Sequence, residues 1–226
     1  MCYHKRHLPH YYPPEAILFL TCRLFGSLAG QRVSGTSVRH EGKAFAQADH
    51  MLDIAGDGPL WLRGPRIAAV VADALEQGEN EFRLYQRFAW VIMPNHVHVV
   101  MRPLRPLPAI MRWLKGSTAR SANLLLKRTG QPFWRYETYD HVIRDSDELN
   151  RVIRYIERNP VRAGLAMTVE DWYWSSARAG QRPGQRPAPY KACKRLTRSE
   201  RLSPRVAAGG YAGEENLATP ASPDWQ

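Results

Sequence analysis

Three cysteines in 226 residues, Cys2, Cys22 and Cys193, are too few and too far apart for a disulfide framework, and none forms a CxxC pair suited to zinc. No apolar run approaches the roughly 20 residues that a membrane-spanning helix needs. The opening Met1-Cys2-Tyr3-His4-Lys5-Arg6-His7 lacks the apolar core of a signal peptide. The expectation is a cytoplasmic protein with no membrane partner. Acidic residues are also scarce, 21 against 32 Lys and Arg, for a formal net charge of +11. That balance points to a polyanionic partner or an acidic surface. Apolar residues make up 44% of the chain, enough to expect a folded core.

What the chain does contain is organised around residues 90–101. Two apolar runs are broken by the turn signal Pro94-Asn95, and the second run, His96-Val97-His98-Val99-Val100-Met101, alternates. Strand side chains repeat every two residues, so His96 and His98 share one face with Cα atoms about 7 Å apart. At that spacing two imidazoles can converge on one cation. Taken alone, His-x-His is equally the signature of two half-buried polar residues on an ordinary strand.

In chain order, residues 1–14 read as an extended arm and residues 16–25 as a strand buried on both faces through its first half and ended by Gly26. Most of 27–61 reads as loop, with a possible short helix at 45–54. Pro65 opens a helix whose apolar positions are Ile67, Val70, Val71 and Leu75. A strand within 81–92 leads into the His hairpin. Residues 102–128 then carry Arg102, Arg105, Arg112, Lys115, Arg120, Lys127 and Arg128 with no acid. After Pro108 this segment reads as a helix ended by Gly130. Its charge suits either a phosphate-contacting face or a merely solvated one. Residues 133–144 read as the last strand, completing a β-α-β-β-α-β order. The fold class expected is α+β, a ferredoxin-like antiparallel sheet with a further helix, C-terminal to it.

That last helix begins with a capping-box-like Asp145 and Glu148, carries the stripe Leu149, Val152, Ile153 and Ile156, and is expected to stop at Pro160. Tyr155 lies about 110° from the centre of the stripe, and Asn159 follows one turn on, displaced by about 40°. The two therefore share a flank at the edge of the core face, where a tyrosine can also be a packing residue. Beyond Gly180 the composition turns to a Pro/Gly-rich basic tail at 181–226, set apart from a domain at 1–180.

Met93-Pro94-Asn95-His96-Val97-His98, Phe133-Trp134, 140–145, Tyr155-Ile156-Glu157-Arg158-Asn159-Pro160-Val161-Arg162-Ala163-Gly164 and Trp172-Tyr173-Trp174-Ser175-Ser176 together resemble the single-tyrosine HUH transposases. The resemblance is closest to the REP-associated tyrosine transposases and spans about residues 8–180 in one consistent order. It implies a C-terminal catalytic helix with Tyr155 as nucleophile, and His96 and His98 as ligands of a divalent cation. Asn159 would be a third ligand and His141 a further ligand or DNA contact. It also implies nicking of single-stranded DNA beside a hairpin through a 5′-phosphotyrosine link that leaves a free 3′-OH, and a monomer, although other branches are dimers.

Mg²⁺ or Mn²⁺ is the cation the resemblance implies, and Mn²⁺ is the better match to imidazole. The basic residues of 102–128 would track the DNA backbone, with Trp113, Trp134 and Tyr136 available to stack on bases. The alternatives are a hairpin-binding protein that no longer cleaves, a metal-dependent phosphodiesterase with a structural Tyr155, and an RNA-binding module that would leave the His pair unexplained.

Overall fold

The computed structural model describes residues 12–13, 15–27, 52 and 58–178. The expected arm, most of the loop with its short helix, and the tail at 181–226 lie outside the described residues. The elements run β1 (Ile17–Arg23), α1 (Pro65–Asn80), β2 (Tyr85–Ile92), β3 (His96–Pro103), α2 (Leu107–Leu125), β4 (Tyr139–Ile143) and α3 (Ser146–Arg162), with a 3-10 turn at Trp61–Arg63 before α1. The sheet order is β2-β3-β1-β4 and every pairing is antiparallel. This is the ferredoxin-like arrangement expected from the element order.

Strand alternation divides the sheet into two chemically different faces. Leu18, Leu20, Cys22, Val97, Val99 and Met101 point to one side, where they form the larger core with Ile67, Val71 and Leu75 of α1 and Ile110, Met111 and Leu114 of α2. Phe19, Val91 and Val100 point to the other, against Val152 and Ile156 of α3. His96 and His98 share the register of Val100 and so face α3 as well. The helix following the sheet therefore covers the face that α1 and α2 leave open.

Several element ends differ from the sequence expectation for local reasons. The first helix runs on to Asn80, where Glu79 receives both the backbone N–H and the Nε of Arg87 from β2. The helix of the basic segment ends at Leu125 rather than Gly130, because Lys127 takes a left-handed φ of 56°. Leu124, in the last turn of the helix, is exposed. The last strand is confined to Tyr139–Ile143, and Trp134 makes only an isolated bridge to Leu24.

Pro160 does not stop α3. It lies in the final turn, and the helix closes two residues later with Gly164 at φ 66°, Gly164 N donating to Val161 O and Leu165 N to Pro160 O. This double bond around a left-handed glycine satisfies carbonyls at the helix end. The chain then returns along β2: Trp172 Nε1 donates to Ile92 O, Ile92 N to Trp174 O and Ser176 N to Trp90 O. These bonds anchor the segment after α3 to the edge of the sheet.

Tyr85 is fully buried against α1 with its hydroxyl donating to Leu75 O, and burial raises its pKa above the ordinary tyrosine value. A Cβ on Gly78 would overlap the Tyr85 ring and hydroxyl. Gly78→Ala should therefore lower stability by about 1–3 kcal/mol, the range for overpacked interiors, measured by urea denaturation. Gly78→Ala combined with Tyr85→Leu should recover part of that loss.

Candidate metal and nucleophile site

His96 and His98 are completely buried, with ring centroids 4.6 Å apart and their Nε2 atoms 3.1 Å apart. Each ring is held from behind. Asn95 Nδ2 donates to Leu52 O at 2.9 Å, which turns Asn95 Oδ1 toward His96 Nδ1 at 2.7 Å. An amide oxygen only accepts, so His96 carries its proton on Nδ1 and directs the Nε2 lone pair at His98. His98 Nδ1 meets Thr21 Oγ1 at 2.8 Å, its neighbour across β1. A hydroxyl both donates and accepts, so Thr21 can serve either tautomer of His98.

The third group arrives from α3. Asn159, also completely buried, places Nδ2 3.2 Å from His98 Nε2. Rotation of the amide would present Oδ1 to the same point. Two donors about 2.1 Å from one cation at right angles lie about 3.0 Å apart, so the His96–His98 separation suits adjacent positions around a single ion. Among the described residues no group of three or more His, Cys, Asp or Glu gathers that could hold a metal. The available donor set is two imidazoles and one amide, which fits a divalent cation that keeps positions for water or substrate oxygen.

Tyr155 stands one turn before Asn159, half-buried, with its ring 6.3 Å from His98 and 6.4 Å from Phe19. Phe19 lies 5.4 Å from His98, so the three rings form a triangle of mutual contacts. The Arg162 guanidinium lies 4.7 Å from the centre of the Tyr155 ring. The helix is held in this position by its N-terminus: Asp145 caps Glu148 N, while the Glu148 carboxylate receives Arg144 N at 2.7 Å and His141 Nε2 at 2.8 Å. His141 thus ties β4 to α3.

The structure brings together four of the residues expected from sequence, His96, His98, Asn159 and Tyr155, all from one chain. It distributes the basic ones. Arg112, Lys115 and Arg120 lie on α2, which packs on the opposite face of the sheet. Lys115 Nζ donates to the carbonyls of Arg135, Tyr136 and Glu137 and so braces a loop. Arg128 stacks on Trp61 at 3.7 Å. Arg102 reaches Glu15 at 3.6 Å, and Arg105 and Lys127 are exposed.

Thr21, Asn95, Arg162 and a line of exposed arginines on α3 did not emerge from the sequence reading. Arg151, Arg154, Arg158 and Arg162 follow at intervals of 3, 4 and 4 and fall within about 80° of one another beside Tyr155. Their spacing was visible, but only the placement of α3 puts them next to the histidines.

No protein-family model matches the chain. It is 30% identical over 96 residues to the REP-associated tyrosine transposase of Escherichia coli (strain K12), a match covering 42% of this chain. The match spans about half the length of that relative, 55%. Among solved structures, the REP-associated tyrosine transposase bound to a REP hairpin aligns over 87% of this chain and 99% of its own, with a TM-score of 0.46 and 17% identity. A transposase from Deinococcus radiodurans R1 aligns over 69% of this chain and 98% of its own, with a TM-score of 0.32 and 15% identity.

Removing the hydroxyl behind His98 tests the donor set without disturbing the strand. Thr21→Val should weaken Mn²⁺ binding about 10–100-fold, as loss of a group that orients a ligating histidine does. Calorimetric titration would measure this, with His98→Ala as the reference for complete loss.

Proposed function

We propose that the chain is a metal-dependent DNA strand transferase that nicks single-stranded DNA beside a hairpin and retains the 5′ end as a phosphotyrosine on Tyr155. The observation that carries this reading is the approach of both His96 Nε2, at 3.1 Å, and Asn159 Nδ2, at 3.2 Å, to His98 Nε2, beside a tyrosine on the same helix as Asn159. The partial sequence match to a REP-associated tyrosine transposase supports the same class of chemistry.

In the proposed step the Tyr155 Oη attacks phosphorus and its proton passes to solvent. The Oη–P bond forms as the P–O3′ bond breaks, and the departing oxygen takes up a proton to become a 3′-OH. The ester bond energy is retained, so another 3′-OH can reverse the step without a nucleotide cofactor. What Mg²⁺ or Mn²⁺ bound by His96, His98 and Asn159 supplies is Lewis-acid polarisation of the phosphodiester. Arg162 places positive charge against the ring that becomes anionic, and a cation over an aromatic face contributes about 0.5–1 kcal/mol at an exposed site. Because all these groups come from one chain, the site needs no helix from a second copy. This favours a monomer.

The DNA path follows from where the charge sits. The α3 arginines flank Tyr155, whereas the basic residues of α2 stand across the sheet and would meet only DNA that wraps around the edge. A hairpin-binding protein without cleavage activity remains the alternative.

The decisive experiment incubates the full chain with end-labelled hairpins taken from the flanks of its own gene, each carrying a single-stranded extension, with Mn²⁺ or Mg²⁺. A protease-sensitive, metal-dependent adduct is expected, falling at least about a thousandfold in Tyr155→Phe, as for loss of other catalytic nucleophiles. Cleavage that survives in Tyr155→Phe would assign the chemistry to water. Binding without an adduct would favour the non-cleaving protein. Arg154→Ala/Arg158→Ala should also lower affinity for the single strand and reduce the salt dependence of log K by about 1.4, two contacts at about 0.7 each. Arg112→Ala/Arg120→Ala should leave the rate of adduct formation unchanged.

A further inference from the structure

Arg23 closes the row of side chains that begins at the histidines. In the β1–β3 register Arg23 lies directly opposite His96, just as Thr21 lies opposite His98. Directly opposed residues share a face, with Cβ atoms about 4.5–5.5 Å apart. The bridge between Leu24 and Trp134 and the bond from Arg135 N to Arg23 O extend the pairing on the other side of β1, so that Arg135 opposes Arg23. The row therefore reads His96, Arg23, Arg135 across three adjacent segments.

This arrangement is unfavourable as it stands. Arg23 is half-buried, and burial first, then the like charge of Arg135, pulls its pKa below the usual guanidinium value, with Glu137 acting the other way. Guanidinium groups keep their proton in proteins, so the strain is not relieved by deprotonation. Like charges directly opposed on a sheet destabilise it. Glu137 reaches Arg135 only at 3.8 Å, from an exposed position, and the buried Nε of Arg135 has no hydrogen-bond partner among the described residues. An anion over this row would neutralise both arginines.

We propose that Arg23 is a catalytic residue that, with Arg135 beside it, grips the nonbridging oxygens of the phosphodiester held next to His96 and His98. A planar guanidinium offers paired N–H donors matched to phosphate oxygens. Here it would stabilise the charge that builds on the phosphoryl oxygens as Tyr155 attacks, from β1 on the sheet face that α3 covers. The inference rests on the strand-transfer reading, and its test is arranged so that the two can fail separately.

The first measurement is adduct formation by the wild-type chain, which judges the reading. Arg23→Gln should slow it about 100-fold, as loss of one transition-state donor does, and Arg23→Lys should recover part of the rate. The second measurement is equilibrium binding in the Tyr155→Phe background, with a single uncharged methylphosphonate walked through the single-stranded flank. One position should lower affinity about tenfold. At that position Arg23→Gln should remove the preference for the charged linkage, because the group that reads the charge is gone. This comparison alters the DNA within one folded variant and so does not depend on the stability of Arg23→Gln. If Arg23→Gln shows the same methylphosphonate profile as its parent, or if no position is sensitive in the parent, the inference is overturned. If the wild type forms no adduct but the profile behaves as described, the anion site stands and the strand-transfer reading falls.

Discussion

Two imidazoles with no solvent exposure in the middle of an antiparallel sheet are tolerable only if their ring nitrogens find partners, because an unsatisfied buried polar group costs about 1–3 kcal/mol. Here the partners come from four directions. Asn95 in the turn holds His96, Thr21 on β1 holds His98, the two rings meet each other, and Asn159 descends from α3. Most of the remaining architecture can be understood as keeping these pieces in register. The hairpin turn brings Asn95 beside His96, the β1–β3 pairing brings Thr21 beside His98, and the capped N-terminus of α3 fixes the distance at which Asn159 and Tyr155 arrive.

The alternation of β3 separates two tasks. Val97, Val99 and Met101 build the larger core with α1 and α2, which supplies apolar burial. His96 and His98 turn away from that core into the smaller one, where Phe19 and Val100 of the sheet form an apolar floor and Val152 and Ile156 of α3 form the roof. Apolar surroundings of this kind strengthen the electrostatic interactions within them. The same arrangement places His96, His98, Asn159 and Tyr155 on a strand and a helix rather than on loops, the rigid support that the proposed nucleophile and cation would require.

The same division sets the densest run of charge in the sequence apart from the histidines. Residues 102–128 are the most basic stretch of the described chain, yet α2 lies across the sheet from the histidines, and Lys115 spends its donors on backbone carbonyls. The arginines beside Tyr155 are interspersed with Glu157 and apolar residues and form a line only when wound into α3. Arg23 is less conspicuous still, a single cation after an apolar strand that acquires a neighbour only through pairing with β3 and with residue 135.

The amino-acid sequence by itself determined the periods: two for His96 and His98, which share a face whatever surrounds them, and 3.6 for Tyr155 and Asn159, which share a flank. It determined the α+β element order, from which the β2-β3-β1-β4 sheet follows, and the capped start of α3. These properties are local, set by backbone geometry over a few residues. Tertiary structure alone decided which sheet face α3 covers, that Asn159 approaches His98, and that Thr21, Asn95 and Arg23 adjoin the histidines. Each of those contacts joins residues whose adjacency comes from strand register and helix packing, and no local periodicity encodes it. The exception is Asn95, adjacent in sequence to His96, whose orientation is set only by its bond to the distant Leu52.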